Sequence, residues 1–460
     1  MLLIFIGLYL FLTLCIGFYA SKKVKNSNDF ILAGRSLPLS LASAAMFATW
    51  FGSETILGAS SEFVEKGIMG IIEEPLGAAL CLLLLGMFFA KKFYRLNIIT
   101  LGDFYRIHFG KKVEVFSSIF MILSFLGYVA AQLVALSIVL QTVSGWNIQA
   151  CMWAGATIVL IYTYIGGMWA ISITDFVQTM MIVAGMMFLA WNLSEKVDQS
   201  SSIFDNLPNH FFDILPENNW KSISHYIAAW ITIGLGSIPS QDVFQRVMSA
   251  KSEKIAIWAS YLGAFLYLSV AILPLLIILF IRKLYPELVL GDAQFALPKM
   301  VMLHSNIFMQ ISFFGALLSA IMSTTSSAIL APASILAENL LKPLLHKFHI
   351  PLLVLVRISV VFITLTATII STIKNNIHDL VSGSSALTLV VFFVPLLAGL
   401  YLKKNTSLSA FLSMIFGLLT YFFAEYQEFE IPSVLIGLLA SFLGMFLGNL
   451  IDLNKRISTK

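Results

Sequence analysis

Two apolar stretches of this chain are interrupted by residues that do not belong inside a membrane helix. In Met46–Gly58 (MFATWFGSETILG), Gly52, Ser53, Glu54 and Thr55 stand in mid-run. In Ile233–Arg246 (IGLGSIPSQDVFQR), Gly234, Gly236, Ser237, Pro239 and Ser240 do the same. A backbone N–H or C=O without a partner costs several kcal/mol in hydrocarbon, so unwound helix persists there only where it lines a cavity or is buried in protein. Two such breaks in the two halves of one chain point to the binding site of a secondary transporter. A third cluster, AIMSTTSSA over 320–328, sets Ser323, Thr324, Thr325, Ser326 and Ser327 in a row within an apolar helix. Hydroxyls in membrane helices commonly bond back to the carbonyl four residues earlier or join helices together. Combined with carbonyls of a nearby unwound segment, they also form the neutral oxygen set that a hard monovalent cation such as Na⁺ prefers.

Individual residues near these clusters leave alternatives open. Glu54 at membrane depth costs at least ~2.5 kcal/mol on insertion scales and must face the bundle interior. It either holds the helix junction through hydrogen bonds or contacts a ligand. Trp50, one turn earlier, is a packing residue or an aromatic wall, and an indole face attracts an ammonium group by ~0.5–2 kcal/mol. Asp175, shortly after Gly166 and Gly167, reads as a near-surface acid that caps a helix or complements its dipole. Asp242 and Arg246 stand four apart on one helix face, the spacing of an internal ion pair that either gates an exit or locks the structure. Glu73 and Glu74, before Pro75, are expected to be partly solvated.

Other chemistries find no support. Cys15, Cys81 and Cys151 lie in apolar stretches without metal-ligand spacing and read as small buried hydrophobes. His346 and His349 stand three apart beside Lys347, with no cysteine or acid nearby to complete a metal site. Neither a nucleophile–base cluster nor a glycine-rich phosphate loop is readable, so an enzyme or a nucleotide-driven pump is not expected.

The elements that position these groups follow from composition. The 460 residues are 59% hydrophobic and 11% charged, whereas a soluble domain carries about 25% charged residues, so the fold class is an all-α integral membrane protein. A span needs roughly 20 apolar residues. That rule places helices near 2–20, 38–61, 69–93, 113–145, 147–166, 170–193, 224–249, 254–281, 305–336, 350–373, 380–402, 406–423 and 431–451, thirteen in all. The run Leu2–Ala20 lacks the basic leader of a cleaved signal and is expected to be retained. Of 28 Lys and Arg, 21 fall on one set of alternate loops, including Lys22, Lys23, Lys25, Lys91, Lys92, Lys403 and Lys404. Only seven (Lys66, Lys196, Lys221, Arg282, Lys283, Lys299 and Lys374) fall on the other set. The positive-inside rule then puts the N-terminus outside and the C-terminus in the cytoplasm. The two breaks sit in the second and seventh helices, five apart. That spacing is expected of inverted repeats, about 38–193 and 224–402, within one transmembrane domain over 1–460. Helix 1 and helices 12 and 13 are then additions.

Five strings in order resemble the sodium:solute symporter family across essentially the whole chain. They are FILAGRSLP (30–38), ATWFGSETILG (48–58), GGMWAISITDFVQ (166–178), SIPSQDVFQRVMSAKS (237–252) and SAIMSTTSSAILAPAS (319–334). The resemblance implies a LeuT-type five-plus-five inverted repeat with Na⁺ as the coupling ion. It implies Na⁺ ligands at the carbonyls of Ala48, Phe51 and Ala320 and the hydroxyls of Ser323 and Thr324. Asp175 matches an acid tied to sodium coupling or a second ion, and Arg35 a basic residue implicated in coupling. The strings come nearest to the choline-transporter branch, in which aromatic side chains cage a quaternary ammonium. Trp50 and Tyr128 fall at cage positions, while Ser240 and Ala78 stand where that branch has aromatics. Ser53, Glu54, Gln241 and Phe244 complete the candidate solute contacts. The expected function is Na⁺-coupled import of a small organic solute by alternating access in the plasma membrane, a choline-like amine or amino acid being favoured. A sugar or monocarboxylate cargo, proton coupling and, remotely, a solute sensor without transport are the alternatives. No nucleic-acid partner is expected, and nothing in the sequence specifies an oligomeric state.

Overall fold

The computed structural model describes residues 2–197, 203–205, 207–290, 293–373, 377–402 and 405–458. Lys374, Lys403 and Lys404, named above, lie outside them. The described residues form helices and turns, with one isolated parallel bridge, Leu37 to Ala250. In chain order the principal elements are α1 (Leu2–Ser21), α2 (Leu39–Ala48), α3 (Glu54–Leu96), α4 (Leu101–Phe109), α5 (Lys111–Ser144), α6 (Ile148–Ser194), α7 (Trp220–Gly234) and α8 (Gln241–Ser249). There follow α9 (Glu253–Leu284), α10 (Ala296–His304), α11 (Ile307–Ile335), α12 (Leu352–Ile373), α13 (Leu380–Tyr401), α14 (Ser407–Tyr426) and α15 (Ser433–Ser458).

Ten helical stretches among the described residues are long and apolar enough to cross a bilayer. Two of them are much longer than one crossing requires. At 1.5 Å per residue the 47 residues of α6 extend for about 70 Å, against a hydrocarbon core of about 30 Å. The chain divides α6 at Gly167, whose backbone (φ 51°, ψ −149°) is not helical. Only glycine fits there, because a Cβ would lie 2.5 Å from the Phe30 carbonyl oxygen. The 43 residues of α3 are likewise interrupted, at Gly67 (φ 63°) and at Glu74, which is extended ahead of Pro75.

The core sits where α2, α5, α6, α8 and α11 meet, and α11 is buried from Phe313 through Ile335. Large apolar side chains left exposed, such as Phe11, Phe18, Phe265, Ile369 and Phe423, line the outer faces of the bundle. In water such a belt would be a liability; against lipid tails it is the ordinary surface of a membrane helix.

Candidate functional site

The first break lies between α2 and α3. The Gly52 amide donates to the Trp50 carbonyl at 2.8 Å, a tight turn, and helical bonding resumes with Ile56 N–H to the Gly52 carbonyl at 3.3 Å. The turn strips carbonyls of their intrahelical partners, and side chains from distant elements replace them. The Ala48 carbonyl accepts from Ser323 Oγ at 3.3 Å and from Thr324 Oγ1 at 3.2 Å. The Tyr267 hydroxyl lies 3.0 Å from the Trp50 carbonyl. A side chain at Gly52 would crowd this junction: a Cβ there would meet Thr324 Oγ1 at 2.8 Å and Glu54 Oε2 at 2.7 Å, so those groups would have to move. The second break, between α7 and α8, contains Pro239, which has no N–H to donate. It also contains Gly236, whose Cβ would lie 2.6 Å from the Ser385 carbonyl oxygen.

Beside the meeting of Ala48 with Ser323 and Thr324 lies a buried ionic knot. Asp175, on α6, is fully buried and pairs with the Arg246 guanidinium of α8 at 3.3 Å. Ser323 Oγ also donates to the Asp175 carboxylate. Arg246 Nε donates to Thr49 Oγ1 at 2.9 Å, and its Nη2 donates to Ser327 Oγ. The knot therefore ties α6, α8 and α11 to the start of the first break.

On the other side of the break is a small cavity of about 50 Å³, lined by residues that include Trp50, Glu54, Glu74, Phe125, Tyr128 and Asp242. Glu54 accepts from Tyr128 Oη at 2.8 Å and from Gln132 Nε2 at 2.7 Å. Glu74 accepts from Thr55 Oγ1 at 2.7 Å and from the Tyr267 hydroxyl. Asp242 accepts from Ser240 Oγ at 2.5 Å and from the Val243 amide at 2.7 Å. Ser384, Ser385 and Thr388 of α13 close the far wall. A narrow void of about 10 Å³, walled by Ile233, Val381 and Ser382 among others, separates this cavity from a vestibule of about 620 Å³. Ser382 Oγ donates to Glu73 at 2.8 Å across that constriction.

The sequence profile of the sodium:solute symporter family matches residues 30–417. The chain belongs to that family. It is a sodium-coupled membrane transporter, not an enzyme. Among its relatives, the high-affinity choline transporter 1 of Drosophila melanogaster is 28% identical over 430 residues, 88% of this chain and 68% of that protein. The Homo sapiens high affinity choline transporter 1 is 25% identical, covering 90% of this chain and 75% of that protein. The sodium/proline symporter of Escherichia coli (strain K12) is 26% identical, covering 90% and 85%. A Na⁺-coupled sialic acid symporter, solved substrate-bound and outward-open, superposes with a TM-score of 0.83 at 19% identity over 98% of each chain. MhsT in complex with L-phenylalanine superposes at 0.59 with 14% identity over 90% of this chain and 98% of that one. At these identities the superpositions establish the shared LeuT-type fold.

Within this symporter, the expected site residues are distributed as follows. Ala48, Ser323 and Thr324 meet directly; Ala320 lies on the same helix one turn earlier, and Phe51 packs on Phe47 with ring centroids 4.6 Å apart. Trp50, Glu54, Tyr128 and Ser240 line the cavity. Ser53 is set behind it, donating to Gln132 Oε1 at 3.0 Å. Gln241 points away from the cavity, accepting from the Leu101 amide at 2.7 Å, and Phe244 packs edge-on against Phe93. Arg35 lies apart from both regions, stacked 4.3 Å from the Tyr94 ring and donating to the Tyr94 carbonyl at 2.8 Å.

Three expectations are corrected. Asp175 is not a near-surface cap, because the kink at Gly167 leaves it two turns, about 12 Å, inside the second half of α6. The ion-pair partner of Arg246 is Asp175 rather than Asp242, which turns to its own helix terminus and Ser240. Glu74 is buried rather than solvated, held by Thr55 and Tyr267. Sequence reading also missed Gln132, Ser384, Ser385 and Thr388. Gln132 is four residues from Tyr128 on one helical face, and SGSS at 382–385 is a hydroxyl run like that at 323–327.

Proposed function

We propose that this symporter imports a small organic solute with Na⁺ by alternating access; the choline and proline transporters among its relatives favour a choline-like amine or an amino acid, a range that the chemistry of the cavity narrows. The observation that carries the reading is the convergence of the freed Ala48 carbonyl with Ser323 and Thr324 beside the cavity. Those oxygens, with the carbonyls of Phe51 and Ala320, would hold Na⁺ and clamp the first break against α11. Ion binding would thereby complete the wall that Trp50, Glu54, Tyr128 and Ser240 present to the solute. Asp175 would join a second ion or sense the first through Ser323. Arg35 would influence coupling only at a distance, through the turn after Tyr94. The lengths of α3 and α6, the broken pair α7–α8 and the alternation of basic loops support thirteen crossings, with the N-terminus outside, the C-terminus in the cytoplasm and the plasma membrane as location. The positions of the breaks support inverted repeats over about 38–193 and 224–402 within one domain.

The driving force is roughly 2.3 kcal/mol per charge per 100 mV, with about 1.4 kcal/mol more for each tenfold Na⁺ gradient. One Na⁺ thus suffices to concentrate a neutral solute by a few hundredfold. The test is radiolabelled uptake into proteoliposomes with and without inward Na⁺, for the wild type and Thr324→Ala. Uptake should require Na⁺, and the variant should need at least tenfold more of it. Uptake indifferent to Na⁺ would exclude the coupling scheme.

A further inference from the structure

The central cavity has a chemical bias that narrows the cargo. Glu54, Glu74 and Asp242 face it from three separate segments: the first break, the middle of α3 and the start of α8. All three are buried. Their hydrogen-bond partners are neutral: Tyr128, Gln132 and Ser53 for Glu54, Thr55 and Tyr267 for Glu74, and Ser240 with the Val243 amide for Asp242. None of the three forms an ion pair among the described residues, because Arg246 is committed to Asp175. Among the described residues, no Lys, Arg or His lines the cavity or the constriction beside it; Glu54, Glu73 and Glu74 line that constriction.

Taking a carboxylate out of water costs several kcal/mol unless a cation and hydrogen bonds compensate. Here the hydrogen bonds are present, and no cation is supplied among the described residues. We infer, building on the symporter reading above, that the cargo supplies it: a compact organic cation with N–H donors, a primary ammonium or guanidinium, and no carboxylate of its own. Charge-assisted N–H···carboxylate bonds are roughly twice as strong as neutral ones. The hydroxyls of Ser237, Ser384, Ser385 and Thr388 are further acceptors for the same donors. A quaternary ammonium has no N–H to offer them and gains mainly from the aromatic faces. A zwitterionic amino acid would bring a fourth negative group into a cavity with no cationic partner for it, and like charges in such proximity cost several kcal/mol. The acidic constriction would also draw cations inward from the vestibule.

The test uses the purified full-length protein at saturating Na⁺, with binding read by thermal shift for two sets of probes. One set is ethanolamine, putrescine and agmatine; the other is choline, glycine betaine and proline. At least one of the first set should bind with a Kd tenfold or more below every member of the second. Glu74→Gln and Asp242→Asn should each weaken that amine at least tenfold. Tighter binding of choline, betaine or proline overturns the inference, as does binding of none of the three amines or unchanged amine affinity in both variants. The wild-type ranking decides by itself if neither variant folds. Stabilisation by Na⁺ alone is read in the same experiment, so a failed cargo class with an intact Na⁺ shift leaves the symporter reading standing.

Discussion

Removing the guanidinium of Arg246 isolates the buried ion pair that ties α6 to α8. Arg246 and Asp175 stand 3.3 Å apart, both buried. Unit charges at that separation attract by about 5 kcal/mol at an effective dielectric constant of about 20. That attraction largely offsets the desolvation of the two groups, so the pair is tolerable whole and costly when halved. Arg246→Met keeps much of the side-chain volume but leaves Asp175 without its cation, and breaking a buried pair costs about 3–5 kcal/mol. Asp175→Asn/Arg246→Met removes both charges and retains an acceptor for Ser323. Its penalty should be smaller than that of Arg246→Met alone by about 1–3 kcal/mol. Thermal unfolding of the three purified proteins in one detergent, followed by tryptophan fluorescence, reads this as a partial recovery of several degrees in the double variant. A double variant no more stable than Arg246→Met would show that the two charges are not coupled, and the reasoning would fail.

Two glycine substitutions separate the ion region from the scaffold. Gly52→Ala puts a methyl group 2.8 Å from Thr324 Oγ1 and 2.7 Å from Glu54 Oε2, so uptake assays should show at least a tenfold rise in the Na⁺ concentration for half-maximal transport. Gly167→Ala forces a side chain into backbone that glycine alone adopts easily, at about 1–3 kcal/mol before its clash with the Phe30 carbonyl. It should lower the unfolding temperature, while the protein that remains folded keeps its Na⁺ dependence.

The breaks were legible because Gly, Ser, Pro and Glu are conspicuous in an apolar run, and hydrocarbon punishes unsatisfied backbone severely. The helical class was legible for the same reason. Partner choice was not. The (i, i+4) rule nominates Asp242 for Arg246 because it sees one helix, whereas Asp175 approaches from α6, 71 positions earlier in the chain. Glu74 looked solvated beside Glu73 and Pro75 because Thr55 and Tyr267, which bury it, come from elsewhere. Gln241 and Phe244 belong to the string that marks the second break, yet α8 turns them toward Leu101 and Phe93. A motif identifies a segment; the rotation of the helix decides which of its side chains see the cavity.

Ser323 has one proton and two acceptors, the Ala48 carbonyl and the Asp175 carboxylate. If Na⁺ binds beside Ala48 as proposed, it would claim a lone pair of that hydroxyl and leave its proton to Asp175 alone. Asp175 holds Arg246, and Arg246 holds Thr49, the neighbour of Ala48. The contacts form a closed circuit that starts and finishes at the same turn of chain. On the proposed Na⁺ site, an ion at one point of this circuit would reorient a proton on α11 and act back, through a guanidinium on α8, on the segment that holds it. Under that proposal, vacancy and occupancy would be written into the orientation of a single hydroxyl.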